Sequence, residues 1–290
     1  MASQQSWDTE LREVGKGVYA YVQKLQGFAG APPTSAGISN AGLIVGPESS
    51  IVIDTLNVPS HTRAFIKEIS AANASPVRRV VITHHHADHT HGMDMFPESS
   101  FIAHANCRKE LQSAGQEGIF TYAKSRPHWT DEIMKVKLVL PDTILTDRMT
   151  LYSGNREIQL IYPGPAHTDN DVMVFLPRER ILFAGDIAFY KVGPLGMTAD
   201  FENWVKVIDQ ILEMPVDVIV PGHGPVGAKE DLVEAQELLR VLIAEGKRCH
   251  AAGYGIEEAV DKVDLGRFTS WPDARERIAA NFRAIYGKLN

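Results

Sequence analysis

Thr83-His84-His85-His86-Ala87-Asp88-His89 packs four imidazoles and a carboxylate into one short segment directly after the strand-like run Val77–Ile82. The histidines therefore stand where a strand ends and a loop or helix begins. Residues two apart on an extended chain point the same way, so His84 and His86 reach one metal ion together. Asp88 and His89 lie past the bend, placed to serve a second ion close by. Imidazole with carboxylate is a ligand set suited to zinc. A solvated polar loop or a tag-like cluster is the plain alternative, and four imidazoles after a buried strand argue against it.

Three more residues recur in matching settings. His167 lies in Gly164-Pro165-Ala166-His167-Thr168, Asp186 in Phe183-Ala184-Gly185-Asp186, and His223 in Val220-Pro221-Gly222-His223-Gly224, each near a strand end. The glycines around His223 permit close backbone approach. Any one of these alone is more often structural. Four strand-end loops that each offer a metal-ligating side chain point to one centre.

The rest of the chain reads as alternating strands and helices. Strands are expected over Leu11–Leu25, Gly42–Val45, Ile51–Ile53, Val77–Thr83, Ile158–Tyr162, Val172–Leu176, Ile181–Phe183 and Val216–Val220. Helical spacing marks Val58–Asn73, Phe201–Leu212, Glu230–Glu245 and Ala274–Leu289. Strands mixed with helices in two similar halves, about 11–140 and 141–290, imply an α/β architecture with two sheets face to face and helices outside. No linker divides the halves, so 1–290 reads as a single domain.

Composition narrows the partners. Lys plus Arg number 29 against 36 Asp plus Glu, a net charge of −7, which suits a nucleic-acid backbone poorly. No apolar run approaches a membrane span, and Met1–Glu10 lacks the apolar stretch of a leader. A cytoplasmic monomer or homodimer acting on a small molecule is expected, unless a leader has been removed. Cys107 and Cys249 read as buried thiols without a task.

The pattern His84-x-His86-x-Asp88-His89, followed by His167, Asp186 and His223, resembles the metallo-β-lactamase superfamily from about Gly15 to about Leu239. The resemblance implies an αββα sandwich with metals in a groove at one edge. It implies that His84, His86 and His167 hold one ion, that Asp88, His89 and His223 hold another, and that Asp186 bridges them. Two zinc ions are expected, with iron or manganese as substitutes. Two divalent ions less Asp88, Asp186 and a bridging hydroxide leave about +1, which favours an oxyanion over a neutral substrate. Asp88 is expected to orient the nucleophile and shuttle its proton.

The bridging Asp is typical of glyoxalase II-like thioesterases and lactonases, whereas true β-lactamases usually carry Cys or Ser there. The expected reaction is hydrolysis of an ester, lactone, thioester or amide. The alternatives are β-lactamase activity or an iron-dependent oxidoreductase resembling persulfide dioxygenases. Among other residues, Phe28 in the 27–37 loop, Tyr190 and Lys191 are candidates for substrate contact. The 27–37 and 121–131 segments are candidates for a flap and a lid. His85 is expected to face away from the metals, with His91, Thr83 and Thr168 as outer supports; His61, His104, His128 and His250 are ordinary histidines.

Overall fold

The computed structural model describes residues 7–23 and 39–289. Two sheets form the frame. The first joins β1 (Thr9–Gly15), β2 (Val18–Gln23), β3 (Ala41–Ile44), β4 (Ser50–Ile53), β5 (Val77–Val81), β6 (Ser100–His104) and β7 (Thr143–Leu145) in that order. The second runs β12 (Val218–His223), β11 (Ile181–Phe189), β10 (Met173–Leu176), β9 (Arg156–Ile161) and β8 (Arg148–Ser153).

Alternation along the strands builds four layers. In β4, Ile51 and Ile53 face the space between the sheets, while Val52 faces outward. In β11, Ile181 and Phe183 face inward, while Leu182 and Ala184 face outward. The inner faces meet in one apolar core. The outward residues of the first sheet pack with Phe65 and Ile69 of α1 (Pro59–Ala71). Those of the second sheet pack with α5 (Phe201–Glu213) and α6 (Lys229–Ala251). α5 shows why a helix forms there: Phe201, Trp204, Val205, Ile208 and Ile211 make one buried stripe, and the Asp200 carboxylate caps it by accepting from Asn203 N. The expected α/β sandwich, helices outside, is what the chain forms.

Several boundaries differ from expectation. Leu11–Leu25 is not one strand: it folds back at Lys16 and Gly17 into an antiparallel pair, with Gly17 at φ +69. α3 (Ala105–Lys124) escaped the periodicity because glycine interrupts it and few of its residues are buried. The 121–131 segment is the end of α3 and the start of α4 (Thr130–Ile133), with Trp129 buried against Ile119, Ile133 and Val136. Ala123 and Trp129 anchor the segment, while 124–128 between them are exposed. Between α6 and α8 (Ile278–Gly287) lies α7 (Ile256–Lys262). The expected 27–37 flap, with Phe28, falls outside the described residues. Among the described residues no helix is long and apolar enough to cross a membrane.

The two sheets lie close together where Gly42 faces Phe183: a Cβ on Gly42 would stand 2.5 Å from the Phe183 ring. Removing that ring leaves a void that the flanking strands cannot close. Phe183→Ala is expected to cost about 3–5 kcal/mol of unfolding free energy, read as a lowered urea midpoint with unchanged slope.

Candidate metal centre

The ligand loop is shaped before any ion is considered. β5 ends at Val81, and the chain then turns through Thr83 to Ala87, where the short helix α2 (Ala87–Thr90) begins. A buried carboxylate that sequence reasoning missed, Asp54, anchors this turn. It follows β4 with φ +58 and accepts from Thr83 N and Thr83 Oγ1, both at 2.8 Å. Its Oδ2 also lies 2.8 Å from His89 Nδ1, which directs the other nitrogen of that ring inward.

Two groups of ligating atoms result. His84, His86, His167 and Asp186 converge in one, and Asp88, His89 and His223 in the other. His86 Nδ1 lies 3.1 Å from His84 Nε2 and 2.9 Å from His167 Nε2. A ring nitrogen carries either a hydrogen or a lone pair, so in neutral tautomers His86 Nδ1 cannot donate to one of these neighbours while accepting from the other. A cation shared by all three lone pairs resolves the crowding. In the second group, His223 Nε2 lies 3.1 Å and His89 Nε2 3.6 Å from Asp88 Oδ2.

Asp186 stands between the groups. Its Oδ1 is 3.1 Å from His89 Nε2, and its Oδ2 is 3.3 Å from both His167 Nε2 and His223 Nε2. His89 Nε2 and Asp186 Oδ1 are buried and make no hydrogen bond. Buried polar atoms left this way are costly unless something else satisfies them. Inward imidazole nitrogens around a carboxylate fit divalent cations, so the residues present suit the metals that the ligand pattern implies.

Glycine makes this approach possible. A Cβ on Gly222 would stand 1.9 Å from Asp186 Oδ1, so only glycine lets β12 pass this carboxylate. β11 also runs on through Asp186 to Phe189, longer than expected, and its register with β12 is broken near Gly185. Asp186 is thus held inside a strand rather than at its end. Asn40, also unforeseen, ties the His223 turn in place: its Nδ2 donates to Pro221 O and Gly224 O at 2.8 Å, and its N to Gly222 O at 2.7 Å. Asp54 and Asn40 lie far from their partners in sequence, so only a short polar residue beside a strand hinted at either.

Electrostatics differ between the two groups. Burial and neighbouring rings hold His84 and His86 well below the usual histidine range, and burial lowers His167 to about 4. These rings are neutral, as ligands must be. For His223 burial also acts downward, but Asp186 and Asp88 outweigh it and raise the ring to about 9; His89 is raised likewise. Burial works to raise Asp186, yet His223, His89 and their neighbours hold it well below the usual carboxylate range. Protons on His89 and His223 occupy the electrostatic role that a cation would take.

The remaining candidates find varied places. His85 N donates to Asn170 Oδ1 at 3.1 Å, and Thr83 Oγ1 lies 3.1 Å from His84 Nδ1. The Thr168 hydroxyl donates instead to Asp171 at 2.8 Å, away from the ligand ring. His91 meets Tyr122 edge-on. Tyr190 and Lys191 are both engaged within the protein. Tyr190 is buried and its hydroxyl donates to Ala228 O at 3.1 Å, while Lys191, at φ +59, pairs with Glu234 beside Trp271. Phe189, their neighbour, is the residue that reaches the centre, stacking on His223 with centroids 5.0 Å apart. Both cysteines are buried and unbridged.

A family model described as the metallo-beta-lactamase superfamily matches residues 34–223, a span containing all seven candidate ligands. The chain is 26% identical over 193 residues to the 2,4-dinitroanisole O-demethylase subunit alpha of Nocardioides sp. (strain JS1661), covering 64% of this chain and 53% of that protein. It thus spans about half the length of that relative. It is 26% identical over 209 residues to the metallo-beta-lactamase type 2 of Bacillus cereus, covering 70% of this chain and 74% of that protein. A solved metallo-beta-lactamase from Pontibacter korlensis shares the fold, with a TM-score of 0.59 at 22% identity over 80% of this chain and 99% of that one.

Two outcomes follow from this geometry. Asp54→Ala frees His89 to rotate and is expected to weaken metal binding by about 10–100-fold, measured by chelator competition, with the fold intact by circular dichroism. The second concerns pH. Because His223 holds its proton up to about 9, a cation in the Asp88–His89–His223 group must displace it. Affinity there is expected to fall about tenfold per pH unit per displaced proton as pH drops below that value. The His84–His86–His167 group, already neutral, is expected to hold its affinity across the same range. Zinc titrations at several pH values should separate the two.

Proposed function

We propose a hydrolytic chemistry for this chain, which belongs to the metallo-beta-lactamase superfamily: two zinc ions, and cleavage of an ester, lactone, thioester or amide bond in a small organic molecule. The observation that carries it is the single Asp186 carboxylate lying within 3.3 Å of imidazole nitrogens from both groups. In this reading His84, His86 and His167 hold one ion, Asp88, His89 and His223 the other, and Asp186 both.

When bound, such a pair supplies Lewis acidity and lowers the pKa of water from roughly 15.7 toward about 7. The chain's own residues do the rest. Asp88 is half-buried, and although burial acts to raise its carboxyl, His89 and His223 hold it well below the usual range. It is therefore ionised at neutral pH and able to orient an attacking water by accepting its hydrogen bond. Asp54 and Asn40 keep His89 and the His223 turn fixed, so little reorganisation accompanies charge development.

The name of the Bacillus cereus relative supports a lactam as a second candidate substrate. The Asp at position 186, where lactamases of the fold usually carry Cys or Ser, favours the ester-like substrates. Elemental analysis before and after chelation, beside chromogenic esters, thioesters, lactones and lactams, tests the proposal. Two zinc ions per chain are expected, with hydrolysis lost on chelation and restored by zinc. One tightly held iron with oxygen consumption and no hydrolysis overturns it.

A further inference from the structure

The candidate ligands are unevenly covered. His86 and Asp88 keep partial exposure within the half-buried run His85–Asp88, whereas the other five are buried. Approach to the centre therefore passes over this run, among the described residues. His85, His86 and Ala87 of this run form part of the wall of a cavity of about 200 Å³ between α2 and α3, with Asp88 next in the chain. Most of the remaining wall is apolar, from Met93, Leu111, Ile119, Val136, Leu138 and Val139.

α3 bends around this space. At Gly115 the backbone takes φ 60 and ψ −169, a conformation outside the helix that glycine alone adopts readily. A Cβ there would meet no atom within 4 Å, so the bend borders open volume. His86 belongs to both features: its Nδ1 faces His84 and His167, while the residue also lines the cavity. A molecule bound against His86 thus has the metal centre on one side and an apolar chamber on the other.

We propose that this cavity receives the apolar tail of the substrate, an alkyl chain or aryl group, while the scissile group lies at His86 and Asp88. This rests on the hydrolytic reading and narrows it to amphiphilic esters, thioesters or amides carrying a medium-length apolar portion. Transfer of each methylene from water to such a wall strengthens binding about fourfold. Substrate length is then read by the cavity, separately from the chemistry at the metals.

The test uses the zinc-loaded full chain with 4-nitrophenyl acetate, butyrate, hexanoate and octanoate, and octanoate itself as a binding probe. kcat/KM is expected to rise about two- to fourfold per methylene until the cavity is filled. Ala114, exposed and part of the lining, offers a place to obstruct it without disturbing the core. Ala114→Trp is expected to lower the octanoate-to-acetate ratio of kcat/KM at least tenfold, and to weaken octanoate binding by calorimetry similarly, with or without zinc. Leu111→Ala, which enlarges the same wall, is expected to move the optimum to a longer chain. If no ester is hydrolysed but octanoate binds and Ala114→Trp weakens it, the cavity assignment stands and the hydrolytic reading fails. If esters are hydrolysed without chain-length preference, or octanoate does not bind at millimolar concentration, the cavity assignment is overturned.

Discussion

The Asp186 carboxylate is shared between two groups of imidazoles, with Oδ1 near His89 and Oδ2 near His167 and His223. A buried carboxylate is expensive unless its charge is met at close range. Meeting it requires histidines from α2 after β5, from the loop before β10 and from the end of β12. Those segments are distant in sequence and belong to both sheets. The sandwich is therefore arranged so that both sheets deliver loops to one edge, and Gly222 keeps β12 close enough to do so.

Around that carboxylate lies a set of buried polar residues that hold each loop from behind. Asp54 holds Thr83 and His89, Asp171 holds Thr168, Asn40 holds the turn at Pro221–Gly224, and Asn170 holds His85. Each satisfies backbone groups that would otherwise be orphaned where strands end. Each also removes rotational freedom from a loop that carries a ligand. Folding stability and readiness to bind metal thus draw on the same hydrogen bonds. The apolar core between the sheets supplies the rigidity against which these bonds act.

The approach side is built differently. His85–Asp88 is only half-buried, and the cavity beside it is walled mainly by apolar residues of α3 and the 136–139 segment. Charge pairing at the centre places no demand on those walls. α3 can bend at Gly115 without disturbing a ligand. In the proposed reading, such a division leaves the chemistry to the centre and the choice of molecule to the chamber.

All seven candidate ligands were legible in the sequence, because metal-ligating residue types are few and their spacing after apolar runs is distinctive. The two-sheet α/β plan was legible too, since alternation and helical periodicity report burial directly. Asp54 and Asn40 were not, because one short polar residue beside a strand looks like any turn residue until its partner arrives from elsewhere. The partners of Tyr190 and Lys191 were hidden for a related reason. Proximity along the chain to Asp186 says nothing of direction, and strand alternation with a positive φ turns Tyr190 into the core and Lys191 toward Glu234. The sequence by itself determined which side chains can bind metal and which faces must be buried, since both are local properties of residue type and period. Which loops meet, which buried partner orients each ligand, and where open space remains beside His86 were decided only by tertiary packing, because these depend on contacts between residues that the chain order keeps apart.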